Sequence, residues 1–482
     1  MNQEIINILF NFLPELSLAV SVIILNLLRG FSNRNKGYFY YIFVIGILLS
    51  AVFSLLQVYY APQLLFTGTI TADHFAYGGR ALVSLAILII ALAFYDKEQA
   101  SEFSLVLVSV IGALLCISSS NLFVLFISLQ VMVIPLYLII HYEIKPAIKY
   151  FISSGIFMAA LLYGISLIYG VTGSGDYIEA AKYLSFNPYN VLVMILAVIF
   201  IISGFAFLIL SAPYNLSFPL LAEKIKLPHL AQFTLINVMT VILVISRFSV
   251  IIFHDSNTFI TDLNQYSFIA GINWQLMLSV ISLISIMAGN FVILWQNDLK
   301  KIVTYIVISQ AGYLLIGIIS GSPGGISAVI FNLIVFAINT LGLLYCINLI
   351  NTNYKVNDIT GLKGLGKDNK TLFLSFIFFL ISSAGFPLSA GFTGKIMLYI
   401  SLGGTPYFWL IAAGVLSTAV FLYFIFKLSI TIFSGRNTVK SAKIETFSLI
   451  LLLILLLPDI LLGFYFEPLL NWAKYCSILT GF

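Results

Sequence analysis

Long apolar runs separated by short polar connections organise this sequence from end to end. The runs fall near residues 8–29, 39–60, 78–94, 102–118, 121–141, 148–170, 191–225, 228–253, 274–296, 299–319, 324–351, 371–403, 406–433 and 444–465. Most approach the ~20 apolar residues that a helix needs to cross a bilayer. In lipid a spanning backbone must satisfy its own polar groups, as a helix does. The pattern therefore predicts an all-α polytopic membrane protein with about fourteen transmembrane helices. The first run, Phe10 to Leu28, is too long and too lightly charged at its start for a cleaved signal peptide, so it is expected to remain in the chain. The connections are short, and the largest, 351–370 and 173–190, could not house a folded domain.

Two runs are too long for one straight crossing and carry proline inside: Pro213 and Pro219 in 191–225, and Pro387 in 371–403. Proline removes a helix donor and clashes with the preceding turn, so both runs are predicted to be broken helices. The second break reads Ser382-Ser383-Ala384-Gly385-Phe386-Pro387-Leu388-Ser389-Ala390-Gly391-Phe392, where small residues and hydroxyls can re-satisfy freed backbone groups. Discontinuous helices at corresponding positions of two halves point to an inverted-repeat transporter. Kinks that serve only curvature are the other reading.

Composition agrees with the pattern. Hydrophobic residues fill 61% of the 482 positions and charged residues 9%, against roughly half and a quarter in a soluble domain. The net charge of +5 is spread over short connections and forms no continuous patch, so nucleic acid is not an expected partner. Cys116, Cys346 and Cys476 lie at no metal or redox spacing and read as small core hydrophobes. His74, His141, His229 and His254 offer no pair for a metal, and there is no cysteine cluster or nucleotide-binding glycine motif. No redox cofactor is expected on this chain.

Basic residues in short loops stay on the cytoplasmic side of a membrane. Alternate connections hold Arg29, Arg34, Lys36, Lys97, Lys145, Lys149, Lys224, Lys226, Lys300, Lys301, Lys355, Lys363, Lys367, Lys370, Arg436, Lys440 and Lys443, seventeen of the 23 basic residues. The opposite set holds only Arg80, Lys182 and Lys474, which places both termini on the non-cytoplasmic side.

The remaining basic residues, Arg247, Lys395 and Lys427, fall within apolar runs. Lys395 follows the second break, and an ammonium at a helix centre costs about 2.5–3.5 kcal/mol on insertion scales, so it must face protein or water. Desolvated and without a nearby carboxylate, it could gain and lose a proton. It could equally snorkel to a headgroup or plug the broken helix by bonding its free carbonyls. Arg247 and Lys427 lie toward span ends, where long basic chains snorkel. Glu15 and Asp459 lie near helix ends and read as structural or interfacial.

The segments Gly289-Asn290-Phe291, Gln296-Asn297-Asp298-Leu299-Lys300-Lys301, Tyr305, Ser309-Gln310-Ala311-Gly312-Tyr313-Leu314-Leu315, Ser383-Ala384-Gly385-Phe386-Pro387 and Gly391-Phe392-Thr393-Gly394-Lys395 resemble subunit N of respiratory complex I. That subunit belongs with the antiporter-like proton-channel subunits, related to multisubunit cation/proton antiporters and membrane-bound hydrogenases. Lys149-Tyr150-Phe151 and Tyr163-Gly164-Ile165-Ser166-Leu167-Ile168-Tyr169-Gly170 extend the resemblance, which covers most of the chain from Pro14-Glu15-Leu16 onward.

The resemblance implies two inverted five-helix repeats, with broken seventh and twelfth helices and a midplane chain of buried charges. It divides the chain into N-terminal helices over 1–101, a first repeat over 102–254, a second over 274–433 and a last helix with its tail over 444–482. The implied proton-relay set is Lys395, Gln130, Lys427, Lys300 and Lys301, with Pro213 and Pro387 marking the breaks. It further implies a membrane-arm subunit in a bacterial inner membrane. Its partners would be a neighbouring antiporter-like subunit and small membrane subunits, with NADH, FMN, iron-sulfur clusters and quinone on other subunits. The departures are specific. Gln130 stands where the family has a glutamate, and Leu208 and Val238 stand where it has lysines. Gln310 replaces a histidine, and Leu216-Ser217-Phe218-Pro219-Leu220-Leu221 replaces a Trp-Thr-Pro-Asp-Val-Tyr run. Only Lys395 clearly survives of the titrating midplane positions, so the first half-channel is expected to be impaired.

Overall fold

Helices fill the apolar runs, as a backbone surrounded by hydrocarbon requires. The computed structural model describes residues 2–31, 36–95, 99–140, 144–253, 273–434 and 444–479. Arg34, Lys97, Arg436, Lys440 and Lys443 of the sidedness argument, and His141 and His254, lie outside the described residues. Among the described residues ten helices are long and apolar enough to cross a membrane, or eleven if Ser448–Phe464 and Glu467–Cys476, bent by 90°, count as one span. This is fewer than the apolar runs suggested. Two apolar helices, Phe103–Ser118 and Lys370–Ala384, have 16 and 15 residues and fall short of a straight crossing.

The chain divides into two compact units. One comprises residues 1–208, 236–277 and 474–482, and the other residues 209–235 and 278–473. The end of helix Val191–Leu208 coincides with the first boundary. Residues 209–217 that follow are non-helical and hold Pro213 after a cis peptide bond, and Pro219 sits in the first turn of helix Phe218–Lys224. A proline is tolerated there because its missing N–H would be unpaired in any case.

In the first unit small residues set the closest helix approaches. A Cβ added at Gly112 would lie 2.7 Å from the Cα of Met132, so Phe103–Ser118 and Leu122–Ile139 pack nearly backbone to backbone. Gly164 does the same for Ile144–Thr172 against Val191–Leu208, where a Cβ would lie 2.8 Å from the Ala197 carbonyl oxygen. Such contacts replace the hydrophobic driving force that helices lack inside lipid. A short antiparallel hairpin, Gln63–Leu65 with Ile70–Ala72, departs from the all-helical expectation. It turns through Gly68 at φ +92°, and Asp73 directly after it caps helix His74–Phe94 by accepting from the Ala76 N–H at 2.8 Å.

The second unit is built around helix Pro323–Tyr354, whose 32 residues start behind a Ser322 cap. At about 1.5 Å per residue it is longer than the ~30 Å hydrocarbon core. Helices Leu299–Ile319, Lys370–Ala384, Ala390–Ser401 and Thr446–Phe464 all pack against it. Lys370–Ala384 and Ala390–Ser401 are the halves of the second broken helix.

Candidate functional site

The site grows from the problem a broken helix creates. A helix that stops inside the protein leaves its last four carbonyls without intrahelical donors. At the end of Lys370–Ala384 each of them is accounted for. Gly385 turns left-handed at φ +81°, which lets its own N–H reach Ser382 O at 2.9 Å and the Phe386 N–H reach Ile381 O at 3.2 Å. This is the Schellman arrangement, favoured by glycine because a side chain is strained at that φ. The next carbonyl, Ser383 O, accepts from Gln310 Nε2 at 2.7 Å, and the last, Ala384 O, accepts from Lys395 Nζ at 2.8 Å.

Lys395 thus reaches back from one half-helix to close the other. Its side chain is buried, and its Nζ lies 3.9 Å from the centroid of the Tyr313 ring. Tyr313 is fixed by donating from its hydroxyl to Gly414 O at 3.0 Å. The ammonium sits at the negative end of half-helix Lys370–Ala384, where the backbone dipole favours a cation. Of the two roles open to it from sequence, the carbonyl contact is present, and it leaves proton exchange equally available.

The start of the second half-helix, Ala390–Ser401, carries the opposite charge. Asp459, from helix Thr446–Phe464, accepts from Ser382 Oγ at its Oδ1, 2.8 Å away. Ser382 Oγ in turn accepts from Asn339 Nδ2 at 3.0 Å and from the Gly391 N–H at 3.3 Å. A Cβ on Gly391 would overlap the Ser382 carbonyl oxygen, so the closeness of the two half-helices depends on glycine. Asp459 is fully buried, which removes the interfacial half of its sequence reading. The available signal was an acid between Leu449–Leu457 and Ile460–Leu462, since an intramembrane acid is a functional candidate by default.

The other expected relay residues lie elsewhere. Lys300 and Lys301 open helix Leu299–Ile319 and hold the end of helix Phe218–Lys224. Lys300 Nζ donates to Ile225 O at 2.8 Å, and Lys301 Nζ pairs with Glu223 Oε2 at 2.5 Å. That hydrogen bond holds the Glu223 carboxyl below the usual carboxylate range. Lys427 is exposed on helix Trp409–Phe433, and Gln130 is half-buried in helix Leu122–Ile139. Pro213 and Pro387 are exposed in the two breaks. Leu208 and Val238 are buried apolar residues, and Val238 directly follows a π-helical turn over Phe233–Asn237. Sequence reading also missed Asn237, the last residue of that turn, and Thr240 after it, both buried with Oδ1 and Oγ1 unpartnered.

Three further residues need correction. Arg247 does not snorkel: it is 2% exposed, pairs with the Asp73 carboxylate, donates to Thr71 Oγ1 and lies 5.2 Å from the Phe75 ring centroid. Glu15 is buried too, because Arg80 Nη2 reaches its Oε1 at 3.2 Å. Arg80 also donates to Ser118 Oγ at 2.6 Å and Asn11 O at 2.9 Å, so it belongs to a spanning helix rather than a connection. A buried charge with a partner avoids the cost that makes a lone one snorkel.

Residues 119–421 match the family model described as NADH:quinone oxidoreductase/Mrp antiporter, TM. The chain is 28% identical to NADH-quinone oxidoreductase subunit N 2 of Chloroherpeton thalassium, over 98% of this chain and 94% of that protein. It is 30% identical to the chloroplastic NAD(P)H-quinone oxidoreductase subunit 2 of Chara vulgaris, over 87% of this chain and 84% of that protein. Its fold is shared by a chain of respiratory complex I from Thermus thermophilus, with a TM-score of 0.79 at 20% identity over 95% of this chain and 98% of the other. A chain of the Mrp complex from Dietzia has the same fold, with a TM-score of 0.83 at 19% identity over 97% of both chains. The two broken helices, the buried lysine and the match over residues 119–421 agree, and the chain belongs to the NADH:quinone oxidoreductase/Mrp antiporter transmembrane family.

Proposed function

We propose that this chain is a subunit N-type membrane-arm component of a proton-translocating NADH-quinone oxidoreductase, with Lys395 as its proton-exchanging residue. The observation that carries the reading is the buried ammonium of Lys395 on the last carbonyl of a broken helix. An ammonium kept inside a membrane protein at that cost marks a pathway for ions or protons. The similarity to subunit N proteins along nearly the whole chain supports a place in the same kind of complex. Electron transfer, with its NADH, FMN, iron-sulfur clusters and quinone, belongs to partner subunits. The neighbours of this chain are another antiporter-like subunit and small membrane subunits, in a bacterial plasma membrane with both termini on the non-cytoplasmic side.

The first repeat, over 102–254, is structural in this reading. Coupling along a membrane arm works by one charge moving against its neighbour. Gln130, Leu208 and Val238 give that repeat nothing to ionise. The second repeat, over 274–433, keeps Lys395 on the side of the next subunit. Purifying the chain under mild detergent and identifying its companions by mass spectrometry tests the assignment. Subunits of an NADH-quinone oxidoreductase are the expected companions. Recovery with cation/proton antiporter or hydrogenase subunits, or alone as a free-standing transporter, refutes it.

A further inference from the structure

We propose that Asp459 is a second proton-exchanging group at the broken helix, the anionic counterpart of Lys395; this rests on the function proposed above. Its carboxyl is 0% exposed in a helix of the membrane domain, and no basic side chain forms an ion pair with it among the described residues. A bare buried carboxylate is costly unless it is paired, hydrogen-bonded or able to take up a proton.

The hydrogen bonds distinguish its two oxygens. Ser382 Oγ already accepts from Asn339 Nδ2 and the Gly391 N–H, so its lone-pair sites are in use. A serine hydroxyl has one hydrogen and two acceptor sites. The single hydrogen of Ser382 is therefore directed at Asp459 Oδ1, 2.8 Å away. Oδ1 is an acceptor in both protonation states. Oδ2 is buried and has no protein partner, which leaves it as the oxygen that binds and releases a proton. Uptake forms an O–H bond at Oδ2 with a proton from water, release returns it to water, and no electron moves.

The surroundings favour such a switch. Asp459 bonds Ser382 at the end of the first half-helix, and helix Ala390–Ser401, which packs against its own helix, begins there with the positive end of its backbone dipole. Three helices pack against Thr446–Phe464. Their titratable groups are Lys395 and Tyr399 on Ala390–Ser401, Tyr345, Cys346 and Tyr354 on Pro323–Tyr354, and Lys370 on Lys370–Ala384. Lys395 is the buried cation among them, whereas Lys370 is exposed. The break thus brings two buried groups able to hold a proton, Lys395 Nζ and Asp459 Oδ2.

The test uses the intact complex in liposomes, with Asp459→Asn, Asp459→Glu and Lys395→Met compared with the native protein. Proton-to-electron ratio, its pH profile and the infrared carboxylic-acid band are measured. The expected result is a pH-responsive carboxyl band in the native complex that disappears in Asp459→Asn. The pumping ratio should fall in the same variant, and in Asp459→Glu the band and pumping should return with a shifted pH midpoint. A native ratio and pH profile in Asp459→Asn overturns the proposal, as does a sodium dependence of turnover that this variant abolishes. If Asp459→Asn does not assemble, a native complex with no pH-responsive carboxyl band overturns it as well. Lowered pumping in Lys395→Met with native pumping in Asp459→Asn removes only this assignment, whereas native pumping in Lys395→Met removes the reading on which it rests.

Discussion

Replacing Lys395 by methionine separates a proton-exchanging lysine from a purely structural plug, because the structural consequences nearly cancel. The substitution leaves Ala384 O without its donor, which costs about 1–3 kcal/mol. It removes the contact with the Tyr313 ring, worth about 2 kcal/mol at a desolvated site. In return it removes an ammonium whose burial costs about 2.5–3.5 kcal/mol. These terms offset to within about 2.5 kcal/mol, so the variant complex should assemble and melt near the native temperature. Methionine also fills the space of the lysine stem. Proton pumping per electron should nevertheless fall, measured as acidification of liposomes against NADH-driven quinone reduction. Lys395→Arg keeps the charge and donors, but a guanidinium does not release its proton, so it should assemble and still pump poorly. Native pumping in either variant refutes proton exchange by Lys395. Loss of assembly in the methionine variant with native pumping in the arginine variant would reduce the residue to a helix plug.

Three further outcomes follow from the packing. Arg247→Ala strands the buried Asp73 carboxylate and should destabilise the protein by about 3–5 kcal/mol, whereas Arg247→Met with Asp73→Asn should recover much of that loss; thermal unfolding of the purified complex measures both. Gly391→Ala forces a methyl group onto the Ser382 carbonyl and should cost at least about 1–3 kcal/mol, seen as a lowered melting temperature and less assembled complex, while Gly155→Ala, at an open position of helix Ile144–Thr172, should cost nothing. Lys301 lowers the Glu223 carboxyl below its ordinary value, so the stability this pair contributes is complete above about pH 4.3 and is lost as pH falls through the lower folded value. Glu223→Gln should flatten that acid limb in thermal scans, and an unchanged limb would count against the pair.

Hydrophobic runs, the two proline-bearing stretches and the place of Lys395 within an apolar run were legible in the sequence because each depends on local composition set against the thickness of a bilayer. Lipid penalises every unpaired backbone group in the same way, so a run of apolar residues specifies a helix whatever it packs against. Pro213 and Pro387 mark the breaks for an equally local reason, the donor that proline lacks. What each break is used for was not legible. Gln310, Asn339 and Asp459 meet the second break from three different helices, and Asp459 lies 77 positions from the Ser382 it bonds. The pairing of Arg247 with Asp73 likewise joins residues 174 positions apart. Sequence alone therefore determined that charges enter the membrane and where the helices break. Only the tertiary structure decided which charges are paired, capped or left with a free oxygen, because the cost of a buried charge depends on the neighbours that folding brings to it.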